Sequence, residues 1–318
     1  MDTYQQFIAL SRYSRFLPTV GRRELWPETV QRLEAFWEEK FPGVGSLVAP
    51  YIESLDVMPS MRSLMTAGPA LDRDHVAGYN CSYLAIDNIL AFDELMYICM
   101  CGTGVGYSVE RQYIAKLPIV GELLPLSVAA SISEFPGIDP KDLSVISSGK
   151  IRVADSKYGW ASALRLLIAN VYEGRDLAWD LSAVRAKGSP LLTFGGRASG
   201  PEPLHQLLLY VTQVFRGAKG RRLTSVEVHD ICCKIGEVVI VGGVRRSAFL
   251  SLSNLTDERM RQAKSGDWWI TSPHRALANN SICYTEKPDV GIFMREWHSL
   301  YTSKSGERGI FNRVAAKK

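Results

Sequence analysis

The chain alternates short apolar runs of strand length with longer stretches of helical period, and this alternation constrains its fold most. Residues 79–87 and 279–285 are strand-length runs, and Ala248, Leu250 and Leu252 alternate with Phe249 and serines. Amphipathic stretches of period 3.6 are found at residues 91–100, 157–171, 204–215, 225–240 and 290–303. Strand–helix alternation predicts a parallel sheet with helices outside it, which is an α/β fold.

Two regions depart from this alternation. Residues 1–55 predict an N-terminal helical region, in which a helix over 28–40 ends at the Phe41-Pro42-Gly43 stop. The remainder, 56–318, is expected to form one α/β unit. Within it, residues 58–71 look irregular, and residues 114–153, with four prolines, predict a loop-rich insertion.

The composition is that of a globular protein and excludes several classes. Of 318 residues, 46% are hydrophobic and 22% are charged. No apolar run approaches the roughly 18–20 residues that cross a bilayer, and the N-terminus lacks a signal peptide's pattern, so we expect a cytoplasmic protein with no membrane partner. The net charge of +4 fits a small anionic ligand as well as nucleic acid, but the basic residues are scattered, which argues against direct nucleic-acid binding.

The six cysteines form no CxxC pair, and the five histidines stand far apart. This spacing predicts no structural zinc or other metal site. Without a secretion signal, the cysteines are expected to be reduced thiols, most of them buried.

The segment 241–253 combines two adjacent glycines with two arginines and then a strand pattern. Gly242 and Gly243 allow a tight turn and close approach to a ligand, and Arg245 and Arg246 offer planar donors suited to phosphate. The segment fits a phosphate-binding loop, and it fits equally a turn that carries a solvated arginine pair.

Several blocks of the sequence, in order along nearly the whole chain, resemble one known family, the adenosylcobalamin-dependent ribonucleotide reductases, in particular the monomeric kind that reduces ribonucleoside triphosphates. The matching blocks are 58–68 (MPSMRSLMTAG), 79–82 (YNCS), 102–110 (GTGVGYSVE), 195–203 (GGRASGPEP), 228–237 with 242–247 (VHDICCKIGE, GGVRRS), 278–281 (ANNS) and 305–313 (SGERGIFNR). The resemblance implies the first half of a ten-stranded α/β barrel made of two five-stranded parallel halves. It also implies adenosylcobalamin as cofactor and thioredoxin as reductant.

The resemblance assigns a role to one cysteine. Cys81 matches the family's reducing cysteine on the first barrel strand, where a thiol donates electrons at the ribose 2′ position and ends in a disulfide. From its surroundings alone, Cys81 also fits a buried strand cysteine, the reading kept for the other five. The residues that the resemblance implies for binding a ribonucleoside triphosphate substrate are Pro59, Ser60, Arg62, Asn80, Ser82, Gly104 and Gly106.

The resemblance also implies an allosteric site for a deoxynucleoside triphosphate (dNTP), spread over about 154–250. Asp155 and Ser156 open a helix, and Asp155 could bond a ribose hydroxyl. Arg185, Lys187 and Arg197 are the phosphate candidates on a first loop, although Arg185 and Lys187 also fit exposed loop charges. The second loop carries Gly242, Gly243, Arg245 and Arg246, and its glycines suit an element that adopts several conformations.

The chain departs from the family pattern after residue 313. In the family, an Asn-x-Cys-x-Glu loop with the radical cysteine follows that block, then a second half-barrel and a terminal cysteine pair. This sequence reaches Lys318 without them. We therefore expect an N-terminal portion of a reductase, inactive without a partner that supplies the C-terminal half. It could be a truncated product, one part of a split gene or the segment before an intervening element. The alternative function is a non-catalytic deoxynucleotide-binding remnant or regulatory partner.

Overall fold

The computed structural model describes residues 1–124, 134–191, 197–241 and 249–316. These residues form two compact units, 1–80 with 190–197, and 81–189 with 198–318. The division differs from the boundary expected near residue 55, which stays a prediction. No helix in the described ranges is long and apolar enough to cross a membrane.

The first unit is mainly helical. Its helices are α1 (Thr3–Ile8), α2 (Trp26–Lys40), α3 (Val44–Glu53), α4 (Met61–Thr66) and α5 (Pro69–Arg73), with a π-helix at Ala9–Tyr13 and a 3₁₀ helix at His75–Gly78. A small antiparallel hairpin joins β1 (Phe16–Leu17) to β2 (Arg22–Arg23), which the sequence did not predict. Helix α2 ends at Lys40, as its stop signal predicted. Residues 58–71 were expected to be irregular but are mostly helical, since they contain α4 and α5. Pro69 does not interrupt α5, because it lies in the first turn, where its missing N–H costs nothing.

The core of the first unit packs α2 against α3 and α4, with Val30, Leu33 and Leu64 buried. Arg32 joins α2 to α4, because its guanidinium donates to the carbonyl of Leu64 at 2.9 Å, and it also donates to Glu24, which precedes α2, at 2.8 Å. Burial alone would raise the pKa of Glu24, but its hydrogen bonds to Arg32 and neighbouring groups lower the pKa below its usual value.

The second unit is built on a five-stranded sheet whose strand pairs are all parallel. The strands are β3 (Cys81–Ala85), β4 (Gly104–Ser108), β8 (Phe249–Ser253), β9 (Ala278–Tyr284) and β10 (Gly309–Asn312), in the spatial order β10-β9-β8-β4-β3. A separate three-stranded sheet holds β5 (Val145–Ser147), β6 (Lys150–Arg152) and β7 (Ala178–Asp180). The large sheet confirms the α/β expectation and has the strand number of one half-barrel. The hairpin β5–β6 lies where only loop was expected, and the expectation for 125–133 lies outside the described residues.

The helices of the second unit surround one large apolar core. They are α6 (Ala91–Met100), α7 (Arg111–Ile114), α8 (Lys157–Tyr172), α9 (Glu202–Gly217), α10 (Ser225–Val241), α11 (Glu258–Arg261), α12 (Trp268–Thr271), α13 (Val290–Ser303) and α14 (Arg313–Ala316). Helix α8 begins after Ser156, whose side chain accepts a hydrogen bond from the N–H of Gly159 at 2.8 Å. It is followed by Gly174 at φ +72°, as the sequence predicted.

Candidate functional site

The two faces of the large sheet differ sharply. Along β4, Val105 and Tyr107 are 1% and 0% exposed and pack into the helix-covered core. The alternate positions, Gly104 and Gly106, carry no side chain. We call the face that bears these glycines, together with Cys81 and Tyr83 on β3 and Leu250 on β8, the open face.

Cys81 begins β3 and its side chain is exposed, whereas the other five cysteines are buried. Its register partner on β4 is Gly104, and the partner of Tyr83 is Gly106. A Cβ built on Gly106 would have only ordinary contacts, 3.7 Å from the ring of Tyr83 and 3.9 Å from Leu250. The backbone of Gly106 therefore forms the floor of a groove between the side chains of Tyr83 and Leu250, beside the accessible thiol of Cys81. We call this groove the lane.

The lane ends in a buried polar cluster just beyond the carboxyl ends of the strands. Glu110 is 1% exposed and its carboxylate accepts from Ser108 at 2.7 Å, from Gln112 at 3.0 Å and from Arg313. The guanidinium of Arg313 also lies near Tyr83 and Cys283. Ligands of open parallel sheets bind at this end of the strands. The sequence offered one signal for the cluster: Glu110 and Arg313 each follow a strand in the blocks that carry the family resemblance.

The covered face holds another set of reactive groups, but it seals them. The hydroxyl of Tyr107 lies 2.8 Å from Nδ1 of His229, and the hydroxyl of Ser251 lies 3.1 Å from the same atom. Burial lowers the pKa of His229 to about 3 and raises the pKa of Cys233 to about 12. These groups are fully buried, and the hydrogen bonds of His229 with Tyr107 and Ser251 join α10 to β4 and β8.

The remaining substrate candidates are placed as follows. Ser82 lies on β3, and its hydroxyl donates to the carbonyl of Gly104 at 3.4 Å. In the first unit, Pro59 and Ser60 precede α4, and Arg62 donates to Asn80 at 3.3 Å. The part of these residues in substrate binding stays a prediction.

The structure brings two of the dNTP candidates together. Nε of Arg185 donates to the carboxylate of Asp155 at 2.7 Å, and both side chains are partly exposed. Ser156, the neighbour of Asp155, caps α8. Lys187 is exposed on the loop that follows, and in the first unit Arg197 is exposed and pairs with Pro190 through a single bridge. Gly242, Gly243, Arg245 and Arg246 lie outside the described residues.

The described residues offer no position that we can assign to a metal or to cobalamin. No group of three or more His, Cys, Asp or Glu side chains within the described ranges is placed to hold a metal ion. Among the histidines, His229 is sealed in the core and Nδ1 of His205 accepts from Trp179 at 2.8 Å.

The fold and the open face define an α/β protein that presents an accessible thiol on a parallel sheet. A family model described as "B12-dependent ribonucleotide reductase, insertion domain" matches residues 141–215. The adenosylcobalamin-dependent ribonucleoside-triphosphate reductase of Lactobacillus leichmannii is 32% identical, over 85% of this chain and 43% of that protein. The corresponding enzyme of Lacticaseibacillus paracasei is 29% identical, over 94% and 47%, and the putative one of Mycobacterium phage D29 is 29% identical, over 82% and 42%.

A solved structure agrees with these relatives. The crystal structure of a B-12 dependent (class II) ribonucleotide reductase is similar with a TM-score of 0.69 and 27% identity, over 88% of this chain and 45% of that one. Over most of its length the chain is similar to adenosylcobalamin-dependent (class II) ribonucleotide reductases, which confirms the resemblance seen in the sequence. It spans less than half the length of the curated relatives it matches.

Proposed function

We propose that this chain supplies the substrate face and one reducing thiol of an enzyme that converts ribonucleoside triphosphates to 2′-deoxyribonucleotides by a thiyl-radical mechanism. The observation that supports this most is the exposed thiol of Cys81 beside Gly104 and Gly106, in a chain of this family. Bare backbone next to the thiol lets a sugar approach more closely than any other residue would allow.

The chemistry required of Cys81 is a two-electron reduction shared with a second thiol. The ribose 2′-hydroxyl leaves as water, a C–H bond takes its place, and two thiols become one disulfide, so atoms and electrons balance. Cys81 provides one sulfur. As the family resemblance implies, we assign the second thiol and the radical cysteine to a C-terminal portion. Adenosylcobalamin would serve as cofactor, and thioredoxin would restore the dithiol. We infer a cytoplasmic setting, because the reaction needs Cys81 reduced.

The test is whether a ribonucleoside triphosphate shields Cys81. Cys81 is alkylated with iodoacetamide with and without ATP or CTP, and the modified peptide is quantified by mass spectrometry. We expect nucleotide to slow alkylation of Cys81 at least severalfold. Gly106→Ala should remove this protection because its methyl group enters the lane, whereas the control Gly217→Ala, whose added Cβ meets nothing within 4 Å, should keep it. An alkylation rate unchanged by nucleotide in the wild-type chain would overturn the proposal.

We propose further that Asp155, Ser156, Arg185 and Lys187 bind a dNTP that regulates the enzyme. The Asp155–Arg185 ion pair supports this, because it holds a ribose-type acceptor and a phosphate-type donor next to each other at the start of α8. We assign Arg197 and the loop of Gly242, Gly243, Arg245 and Arg246 to the same function on sequence alone.

A matched pair of variants tests the dNTP assignment. Asp155→Asn and Arg185→Gln should each weaken dNTP binding, measured by equilibrium dialysis, by about tenfold, as expected for loss of one charge-assisted contact. The control is Asp176→Asn, because Asp176 forms a more exposed aspartate–arginine pair with Arg216, at 2.8 Å, on the same unit. Equal affinities in all three variants would contradict the assignment.

A second candidate function, a non-catalytic deoxynucleotide-binding module, is supported by the family match over 141–215, which contains Asp155 and Arg185. The two functions differ at Cys81. A regulatory module would bind dNTP, but ribonucleotide would not protect its Cys81 from alkylation. The substrate face of a reductase would bind dNTP, and ribonucleotide would protect its Cys81. In an assembled holoenzyme, Cys81→Ser should abolish turnover with a dithiol reductant and leave dNTP affinity unchanged.

A further inference from the structure

The proposed function leaves one side chain of the open face without a role. Tyr83 lies two residues beyond Cys81 on β3, so the two side chains point to the same side with Cα atoms about 6.6 Å apart. Its ring is 52% exposed, although it is a large apolar group on a strand beside a packed core. The neighbours on its own strand, Ser82 and Leu84, are partly buried, and Leu84 packs on the core.

The hydroxyl end of the exposed ring lies among polar groups. Its neighbours include Tyr113 and Ser108, with the guanidinium of Arg313 nearby. Burial, followed by the neighbouring Tyr113, raises the pKa of Tyr83 to about 12, so the hydroxyl is neutral near pH 7. Ser108 and Arg313 both donate to Glu110. The tip of the ring therefore borders the polar cluster, while the ring body borders the lane, with its Cδ2 atom 3.7 Å from the place of a Cβ on Gly106.

The lane beside the ring is bounded by one side chain on each side. Tyr83 and Leu250 flank Gly106 on the two neighbouring strands. Two strand spacings separate them, about 9.6 Å between backbones, and neither a side chain nor a Cβ fills the floor. A furanose ring presents an apolar C–H face and a polar hydroxyl edge. The aromatic face of Tyr83 and the side chain of Leu250, on opposite walls, suit the apolar face of the sugar. The backbone floor and the thiol suit its hydroxyl edge.

We propose that Tyr83 is a substrate-positioning residue, whose ring packs against the apolar face of the bound ribose and so turns its 2′ edge toward Cys81. The inference rests on the proposed function and adds to it the residue that sets the orientation of the sugar. The contact is made by the ring body and does not require the hydroxyl.

Two substitutions separate the ring from its hydroxyl. Tyr83→Leu removes the aromatic face, and we expect it to raise the Kd for ATP or CTP about tenfold, as loss of one aromatic stacking contact does. Tyr83→Phe keeps the ring, and its Kd should stay within about threefold of wild type. The control is Tyr301→Leu, since Tyr301 is a more exposed tyrosine on α13, away from the open face along the chain. The Kd is measured calorimetrically on the full 318-residue chain, and circular dichroism verifies that each variant is folded.

A second readout tests orientation, which a merely structural role would not change. Protection of Cys81 from iodoacetamide by saturating ribonucleotide should be complete in wild type and Tyr83→Phe and should be partly lost in Tyr83→Leu. If wild type shows neither binding nor protection, the proposed function itself fails and this inference fails with it. If wild type is protected and Tyr83→Leu matches it in both Kd and protection, the proposed function stands and the role of Tyr83 is overturned.

Discussion

The same strands of the large sheet build two faces of opposite character. On the covered face, Tyr107 and His229 are wholly buried, satisfied by each other and by Ser251, and burial holds the pKa of the Cys233 thiol near 12. On the open face, β4 presents Gly104 and Gly106, and Cys81 on β3 is exposed. The comparison shows that availability, rather than the number of reactive groups, distinguishes the candidate site. Cys99, Cys232, Cys233 and His229 lie in the buried core, whereas the thiol of Cys81 is accessible.

The comparison is tested most severely by deleting one tyrosine from each face. Tyr107→Ala empties a fully buried site and removes a hydrogen-bond partner of His229, and we expect it to lower the free energy of unfolding by about 3–5 kcal/mol. Tyr83→Ala, on the neighbouring strand, should cost below about 1 kcal/mol, because its ring is half exposed. Urea unfolding followed by circular dichroism measures both. Similar losses for the two variants would mean that the open face is in fact a packed one.

Thiol reactivity tests the same contrast chemically. In the native chain Cys81 should react with iodoacetamide roughly 100-fold faster than Cys99, Cys232 or Cys233, because buried thiols react only through unfolding. The pKa of each of those three thiols is raised by burial, which slows them further. Peptide mass spectrometry after timed alkylation gives the four rates, and in concentrated urea they should converge. Fast native labelling of Cys232 or Cys233 would show that the covered face opens.

Adding a methyl group at one glycine on each face tests the same difference between the covered face and the open face. A Cβ on Gly236 of α10 would lie 2.3 Å from the buried ring of Phe249, so Gly236→Ala should destabilise by about 1–3 kcal/mol. Gly106→Ala adds the same methyl where the nearest atom is 3.7 Å away, and its stability should be unchanged within about 0.5 kcal/mol. Thermal and urea unfolding of the pair give both values. A large loss for Gly106→Ala would show that the lane is already filled.

The smallest expected effect is a pH dependence that originates on the covered face. The folded pKa of His229, about 3, is below its unfolded value of about 6.5, so its contribution to stability is present above pH 6.5 and is lost as pH falls toward 3. Between pH 6.5 and pH 5.5 wild type should lose about 1 kcal/mol that His229→Gln does not lose. The pKa of Asp230, about 2, acts only below pH 4. Identical pH profiles for the two proteins would contradict the sealed state of His229.

The sequence predicted most of the second unit because its signals there are local. Helix α13 was predicted over residues 290–303 and is found at Val290–Ser303, and the cap at Ser156 and the strand β3 were also read from nearby residues. The hairpin β5–β6 and strand β7 were missed, since three-residue strands carry too little periodicity to be recognised and are stabilised by pairing with each other.

The candidate site was predictable in part. The blocks that resemble the family placed Cys81, Gly104 and Gly106, and the structure puts them on one face. The polar surroundings of Tyr83 and the pairing of Glu110 with Arg313 involve residues that are distant in sequence. Nothing in the sequence near Glu110 or Arg313 identifies the other residue as its partner. Such contacts depend on strand order, which no local pattern encodes.

The glycine floor of the open face also determines how the lane can be lost in evolution. Most binding sites can fail in two directions, because a lining residue can become too small or too large. Gly104 and Gly106 are already at the lower limit of size, so every substitution at either position adds atoms to the lane. Since the fold has room for a methyl group at Gly106, such changes would leave a stable chain without a working lane. Loss of function at this position would therefore leave protein abundance intact, and only an assay of binding or turnover would detect it.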